Sequence, residues 1–305
     1  MPKEVFKFKI GEFDCISLND GYLGMRIEDL FANVDRNDLE QVLRMRNWPI
    51  DHVPSPLTIL YINTGHHHVL VDTGAGDIFL NSGRLPTNLA KVGVDLAEID
   101  KVVITHAHVD HIRGLLNEDG APTYPNARVY TMEREWDFWL AEDASEKAPG
   151  FELAIEYAQR VFDSISERFV FVQPDDEIVP GIRILPAFGH TPGHVVVEAS
   201  SCGESVIYIS DTVFHPLHIE HPDWLPSTVF MVDFEQYQET RHRLCAQAVA
   251  KNALVLGMHF PPFPSLGHIT ETDEGLQWEP VPVRQDSLLN IENGGDVRAT
   301  RDFVS

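Results

Sequence analysis

The sequence contains few cysteines and no long apolar run. Cys15, Cys202 and Cys245 are its only cysteines, and they lie far apart without a CxxC pair. An odd number of scattered thiols argues against a disulfide framework and fits a reducing compartment. No segment approaches the ~18 uninterrupted apolar residues of a membrane helix. Residues 1–7 alternate charged and apolar side chains and lack the apolar core of a signal peptide. We therefore expect a cytoplasmic protein that does not bind membranes.

Basic residues are also scarce. The chain has 23 Lys and Arg against 47 Asp and Glu, which gives a formal net charge of -24. Because nucleic acids and other polyanions bind to clustered basic side chains, this composition argues against a nucleic-acid partner. A neutral small molecule is the substrate class that suits the charge best.

The distribution of apolar residues indicates one domain. With 305 residues, of which 43% are hydrophobic, the chain can bury a substantial core. Strand-like apolar runs occur in both halves and are separated by amphipathic helices, without a repeat or a linker. We interpret residues 1–305 as a single domain of the α/β (α+β) class, a sandwich of two sheets flanked by helices. Its core covers about residues 57–270, with strands and a flap in residues 1–56 and a polar tail in residues 282–305.

Three local predictions are specific enough to compare with a structure. A turn is predicted at residues 19–21, after a strand over residues 13–18, because the sequence there is Asn-Asp-Gly. The proline-rich residues 48–56 are predicted to form an irregular flap. Residues 178–185 are predicted to form one strand.

The most informative segment is residues 101–111. Its apolar β-branched run, residues 102–104, is typical of a buried strand and ends in four potential metal ligands, His106, His108, Asp110 and His111. His106 and His108 lie two residues apart, so both side chains leave an extended backbone on the same face. Imidazole and carboxylate groups suit zinc and other first-row divalent ions. This segment could therefore supply two ligands to one ion and two to a neighbouring ion.

Three later positions have a similar context. His194 follows a turn tightened by glycine and proline and begins a predicted strand, whereas Asp211 and His259 each stand at the end of one. Strand ends are rigid and meet at one edge of a sheet, as a metal site requires. The repeated pattern indicates that these residues complete the cluster of residues 106–111.

Two other polar segments contain residues that could belong to the site. The three consecutive histidines, residues 66–68, cannot converge on one ion, because adjacent strand residues point to opposite faces. We interpret them as a polar hairpin. Asp72 stands at a strand end before Thr73 and Gly74, where it could orient a metal-bound histidine or form a simple Asx turn. The sequence favours neither reading.

The His-x-His-x-Asp-His motif, together with the three later ligands, resembles the ligand set of the metallo-β-lactamase-fold hydrolases. The resemblance covers about residues 57–270 and implies an αββα sandwich of two mixed sheets flanked by helices. It assigns His106, His108 and His194 to one ion, Asp110, His111 and His259 to the other, and makes Asp211 the bridge. Two divalent ions are implied, with zinc expected and manganese, iron or cobalt also compatible. We expect Asp72, His190 and His268 to orient ligands without contacting the ions.

Within this superfamily, the sequence resembles methyl parathion hydrolase and the quorum-quenching lactonases. Residues 137–140, 179–182, 189–194 and 267–269 carry this resemblance, which also implies a homodimer. N-acyl homoserine lactonases usually place a tyrosine three residues after the bridging aspartate, where this chain has Phe214. His215 could replace the missing hydrogen-bond donor.

The resemblance implies hydrolysis by a hydroxide that bridges the two ions. Asp110 would also carry a proton to the leaving group, and Trp139, Phe214 and His215 would line an apolar pocket for an aryl or acyl group. The expected substrate is an ester, a lactone or a phosphotriester. The alternatives are an N-acyl homoserine lactonase proper, a non-catalytic metal-binding or sensor protein, and a redox protein with a di-iron centre.

Overall fold

Two seven-stranded sheets pack face to face, flanked by helices, which confirms the predicted sandwich. The computed structural model describes residues 4–79 and 81–283. The first sheet contains β1 Val5–Ile10, β2 Phe13–Arg26, β3 His52–Asn63, β4 His68–Val71, β5 Lys101–Val103, β6 Arg128–Met132 and β7 Phe169–Val172. The second sheet contains β8 Glu177–Val179, β9 Ile182–Pro186, β10 Val195–Ser201, β11 Glu204–Ser210, β12 Leu254–Gly257, β13 Leu266–Thr272 and β14 Gly275–Pro280.

The helices lie in the connections between strands. They are α1 Ile27–Leu30, α2 Arg36–Met45, α3 Leu85–Val92, α4 Val109–Ile112, α5 Glu133–Leu140, α6 Ala144–Lys147, α7 Glu152–Ile165, α8 Leu217–Glu220 and α9 Phe234–Lys251. Within residues 4–79 and 81–283, no helix is both long and apolar enough to cross a membrane. Most of the predicted polar tail, residues 284–305, lies outside the described residues.

Parallel strand pairs bring chemically important chain segments together. Strands β4 to β7 are parallel neighbours, and the crossovers that such pairs need are supplied by α3, by α4 and by α5 to α7. The carboxyl ends of β4 and β5 therefore lie side by side. In the second sheet, β11 and β12 form a parallel pair, joined through α8 and α9. Their carboxyl ends are likewise neighbours.

Apolar side chains from both sheets fill the space between them. Leu18, Ile59, Val103, Ile184 and Val197 are all fully buried in this core. A second apolar cluster lies on the outer face of the second sheet, where α9 contributes residues 244, 245 and 248. The apolar side chains between the sheets and beneath α9 are thus removed from water, which is the main favourable contribution to folding.

The predicted turn at residues 19–21 is wrong. Strand β2 continues through it, and the register between β2 and β3 shifts between Asn19 and Tyr22. The side chain of Asn19 accepts a 2.7 Å hydrogen bond from the Gly21 amide. The turn-forming residues therefore produce a β-bulge, which bends the strand without reversing it.

Two other local predictions also differ from the structure. The flap is in part a strand, because β3 already begins at His52. Pro54 and Pro56 are tolerated there because this end of β3 pairs with β2 alone among the described strands, so a ladder of hydrogen bonds is needed on one side only. The single strand predicted at residues 178–185 is a hairpin of β8 and β9, which turns at Gly181 with a φ of 85°.

Candidate metal centre

Histidine and aspartate side chains converge where the two sheets meet. Three of the four ligands expected from the first sheet, His106, Asp110 and His111, are buried, and His108 is half-buried beside them. From the second sheet, His190 lies in the turn before β10, Asp211 directly follows β11 and His259 follows β12. These seven residues form two clusters, and within each cluster the candidate ligand atoms lie within 4.8 Å of one another. The first cluster is His106, His108, His190 and Asp211, and the second is Asp110, His111 and His259.

The first cluster contains three imidazole nitrogens. Nε2 of His106 lies 3.0 Å from Nδ1 of His108, and Nε2 of His190 lies 3.1 Å and 2.9 Å from these two atoms. A tetrahedral zinc with bonds of 2.0–2.1 Å would hold its nitrogens about 3.3 Å apart. Oδ2 of Asp211 lies 3.4 Å from the His190 nitrogen and completes a set of four.

The second cluster contains Asp110, His111 and His259. Oδ2 of Asp110 lies 3.7 Å from Nε2 of His111 and 3.4 Å from Nε2 of His259. Oδ1 of Asp211 lies 3.4 Å from each of these two nitrogens. Asp211 therefore directs one carboxylate oxygen at each cluster, which is the arrangement of a bridging ligand.

Unpartnered polar atoms show that the residues fit metal ions. Nε2 of His111 and Oδ1 of Asp211 are buried and have no hydrogen-bond partner within the described part of the chain. Buried polar atoms without partners are costly. Both atoms face the second cluster, where coordination would satisfy them. A set of histidine and aspartate donors suits zinc and related divalent ions.

The structure exchanges the predicted roles of His190 and His194. The resemblance assigns His194 to the first ion and the sequence predicts a supporting role for His190, but it is His190 that joins the cluster. The Nδ1 atom of His194 instead donates a 2.9 Å hydrogen bond to the Ala187 carbonyl, across the turn that precedes β10. The His194 ring lies beside that of His106, with centroids 4.9 Å apart, but it belongs to neither cluster. The geometry therefore favours His190 over His194 as the ligand, against the prediction.

Burial and charge act on the two clusters in opposite directions. Burial lowers the pKa of His106 and His190 well below the ordinary value and that of His108 to about 4. Burial also opposes the charged form of His259, but the carboxylates of Asp211 and Asp110 outweigh it and raise the pKa to about 9. The histidines of the first cluster are therefore neutral and can bind an ion directly, whereas in the second cluster an ion must displace the proton of His259.

Asp72 supports the second cluster. Its Oδ2 accepts a 2.8 Å hydrogen bond from Nδ1 of His111, and its Oδ1 accepts one of 2.9 Å from the Thr105 amide. The Thr105 hydroxyl also bonds to this carboxylate. Asp72 has a φ of 63°, a left-handed conformation that is rare outside glycine and is often found at functional sites. Asp72 therefore orients the His111 ring as well as forming its turn.

Comparison with known proteins identifies the family. Residues 54–265 match the family model described as the metallo-beta-lactamase superfamily. This chain belongs to that superfamily. Its match to the beta-lactamase-like protein 2 homolog of Caenorhabditis elegans is 26% identical and covers 55% of this chain and 52% of the relative. Its match to an N-acyl homoserine lactonase of a Bacillus species is 23% identical and covers 50% and 63%. The chain thus spans only about half to two-thirds of the length of these curated relatives.

Solved structures of the superfamily cover more of the chain. The hydrolase AbOPH is 25% identical, with a TM-score of 0.84 over 92% of this chain and 98% of its own. The dizinc quorum-quenching lactonase AidC is 24% identical, with a TM-score of 0.85 over the same shares. These similarities agree with the fold and with the resemblance inferred from the sequence.

In this member of the superfamily, the two clusters form the floor of a largely apolar cavity of about 240 Å³. The ring of Phe151 stacks on His108 with centroids 4.9 Å apart, and that of Phe214 stacks on His259 at 6.0 Å. Leu153 and Val229 line the same cavity although they are 41% and 45% exposed. One histidine of each cluster thus packs against an aromatic ring, and the entrance carries exposed apolar side chains.

Of the three predicted pocket residues, only Phe214 lines this cavity. Trp139 is fully buried behind His108, and its ring N–H donates to Glu135 at 2.6 Å. His215 is also buried, facing Phe31 and Trp48. The predictions for Trp139 and His215 are therefore wrong.

The predicted supporting role of His268 is wrong as well. This residue lies within β13, where its Nδ1 is 3.2 Å from the Ala253 carbonyl, and it belongs to neither cluster. The sequence does not predict the supporting residue Glu135 or most of the cavity wall, which comes from residues 23–26, 149–154 and 229–230. For Glu135, the one available signal was its position four residues before Trp139 on the same helix face.

Proposed function

We propose that this chain is a hydrolase that uses two metal ions to cleave a small neutral ester, lactone or phosphotriester. The observation that carries the proposal is Asp211, whose two oxygens face two buried ligand clusters at the floor of an apolar cavity. Membership of the superfamily and the names of its relatives, among them a lactonase and the hydrolase AbOPH, support the same chemistry.

The ligands divide between two ions. We propose that His106, His108 and His190 hold the first ion, that Asp110, His111 and His259 hold the second, and that Asp211 bridges them. When bound, two such ions supply Lewis-acid activation of water and of a substrate oxygen. Zinc is the proposed metal, because imidazole nitrogen and carboxylate oxygen are its usual protein ligands.

We propose a role in proton transfer for Asp110. Its carboxylate lines the cavity and lies 3.4 Å from Nε2 of His259, and 12% of its side chain is exposed. Among the ligand carboxylates it is thus the more open to a substrate, since only 4% of the Asp211 side chain is exposed. We propose that Asp110 accepts the proton of the attacking water and delivers it to the leaving group.

The cavity wall supports a substrate with an apolar group. Leu23, Met25, Phe151, Phe214 and Phe230 line it. Among the described residues, its charged side chains other than the proposed ligands are Arg26, Asp29 and Glu152. Burial of an acyl or aryl group against such a wall contributes about 25 cal/mol for each Å² removed from water. An apolar acyl or aryl group therefore suits this wall.

The absence of a side-chain hydroxyl favours a general ester, lactone or phosphotriester hydrolase over a strict N-acyl homoserine lactonase. No tyrosine, serine or threonine lines the cavity within the described residues, and Phe214 takes the position where that group of lactonases usually has a tyrosine. His215 does not replace the donor, because it lies behind the wall. The cytoplasmic location, the homodimer and the extent of the domain over residues 1–305 stay predictions from the sequence.

Metal-dependent turnover tests the proposal. Purified protein is stripped with a chelator, reloaded with zinc and assayed on aryl esters, acyl homoserine lactones and paraoxon. We expect about two zinc ions per chain and turnover of at least one class, with a loss of 100-fold or more on metal removal or in Asp211→Asn. Turnover that survives complete metal removal, or zinc-loaded protein inert towards the whole panel, would contradict it.

A further inference from the structure

The carboxylate of Glu135 occupies the centre of a buried hydrogen-bond cluster. Its Oε1 accepts hydrogen bonds from the Ala107 amide at 2.9 Å and from the Trp139 ring N–H at 2.6 Å. Its Oε2 accepts hydrogen bonds from the Thr191 hydroxyl at 2.7 Å and from the Gly193 amide at 2.9 Å. The side chain is fully buried at the start of α5. Three of the four donors are N–H groups, which cannot become acceptors, so the cluster requires an acceptor at both oxygens.

These bonds connect the two chain segments that carry the histidines of the first cluster. Ala107 stands between His106 and His108, and Thr191 directly follows His190. A single side chain therefore ties together two turns that are distant in sequence. The second cluster has no bond to Glu135; its His111 is held by Asp72.

Two rings of the first cluster have no hydrogen bond on their outer nitrogen. The outer ring nitrogens of His108 and His190, Nε2 and Nδ1, are buried and make no hydrogen bond to any described residue. Metal-bound histidines are normally oriented by a partner on the outer nitrogen. Because these two rings lack such a partner, their orientation depends on packing against Phe151 and Phe214 and on the backbone that carries them. Glu135 acts on that backbone.

The local packing is built around this contact. A Cβ atom added to Gly193 would lie 2.4 Å from the amide nitrogen of Glu135 and 2.5 Å from its Cβ. Glycine is thus required for the turn to approach the helix closely enough to bond with the carboxylate. The close approach, the buried acceptor and the donors from both turns belong to one arrangement.

We propose that Glu135 is a positioning residue that sets the affinity of the first metal site and leaves the second site unaffected. The proposal rests on the metal-binding part of the proposed function and is independent of the substrate. In Glu135→Gln, an amide N–H₂ would face one pair of donors, and the turns would lose their common acceptor. A separate 2.9 Å hydrogen bond, from the Val195 amide to the Thr105 carbonyl, still joins the same segments, so we expect this variant to fold.

Zinc affinity in two single-site backgrounds tests the proposal. His259→Ala disables the second site, and His108→Ala disables the first. In each background, the dissociation constant for zinc is measured by competition with a chromophoric chelator, with and without Glu135→Gln. We expect a 10–100-fold loss of affinity in the His259→Ala background and less than a 2-fold change in the His108→Ala background. Equal losses in both backgrounds, or no loss in either, would overturn the proposal.

Two further variants separate positioning from general stability. Asp20→Asn is a matched control, because the buried Asp20 carboxylate accepts hydrogen bonds from the amides of Ala75, Gly83 and Leu85, none of which adjoins a ligand. It should lower the melting temperature without changing zinc affinity. If Glu135→Gln does not fold, Thr191→Val removes a single donor and should weaken the first site alone. Because zinc is the only probe, an inert enzyme would contradict the proposed hydrolase and leave this result intact.

Discussion

Nδ1 of His111 donates a 2.8 Å hydrogen bond to the carboxylate of Asp72, with both side chains fully buried. The bond fixes the proton on Nδ1 and leaves Nε2 free to face Asp110 and Asp211. An aspartate that holds a histidine in this way strengthens its binding to a metal ion.

Asp72→Asn should therefore lower the affinity for one of the two ions by about 10–100-fold. The measurement is zinc content after dialysis against a graded series of chelator concentrations, where one of two ions should be lost early. Asp100→Asn is the matched control, since Asp100 pairs with Nδ1 of His67 at 2.7 Å far from the site. Retention of both ions in Asp72→Asn would show that the pair has no role in metal binding.

His190 and His194 should respond differently to replacement by alanine. We expect His190→Ala to bind only one zinc ion, because it removes a ligand of the first cluster. His194→Ala should keep both ions but lose about 2–4 kcal/mol of unfolding free energy, since it removes a buried ring and its hydrogen bond to Ala187. Metal analysis and denaturant titration measure the two effects. The reverse pattern would restore the assignment made from the sequence.

The metal-free protein should lose stability between about pH 6.5 and 9. Burial lowers the pKa of His259, but Asp211 and Asp110 outweigh it and raise the value to about 9 in the folded chain, against about 6.5 in the unfolded chain. A raised histidine pKa stabilises the fold fully below pH 6.5, and this contribution is lost as the pH rises through 9. It amounts to about 3 kcal/mol at most.

Chemical denaturation of the metal-free protein at pH 6, 7.5 and 9 measures this effect. The variant His259→Gln isolates it, because the difference in stability between the two proteins should shrink as the pH rises. A difference that is independent of pH would mean that His259 does not gain a proton in the folded chain.

The exposed apolar entrance should matter for long substrates. Leu153 is 41% exposed and lines the cavity. Leu153→Asp should raise KM for an octanoyl ester by about 10-fold and change KM for an acetyl ester little. Only the longer chain would reach Leu153, where burial of apolar surface contributes about 1–2 kcal/mol to binding. Met45, 68% exposed and absent from the cavity wall, supplies the control Met45→Asp. A parallel change for both esters would place the acyl group elsewhere.

The sequence alone was sufficient for the ligands that stand at strand ends. His106, His108, Asp211 and His259 could be predicted because an apolar run marks each strand and its end fixes where the next side chain goes. His190 could not be separated from His194, since both lie in one turn of glycine, threonine and proline. The choice depends on which ring bonds to the Ala187 carbonyl, and the sequence does not contain that contact.

Burial explains the remaining errors. Trp139 lies on a helix and His215 follows Asp211 by four residues, but both side chains are fully buried and line no part of the cavity. The role of Glu135 depends on donors from two distant turns, and the cavity wall combines segments from three parts of the chain. Such tertiary relationships leave no local pattern.

Each cluster takes ligands from both sheets, since residues 106–111 follow β5 and residues 190, 211 and 259 belong to connections of the second sheet. Neither half of the sandwich holds a complete set. We expect metal uptake to be the last event in the maturation of the chain, after the halves have docked. In refolding experiments, zinc capture should lag behind the burial of interior tryptophans, and capture before that stage would contradict this order. Tight zinc capture thus reports that both halves of the sandwich have assembled.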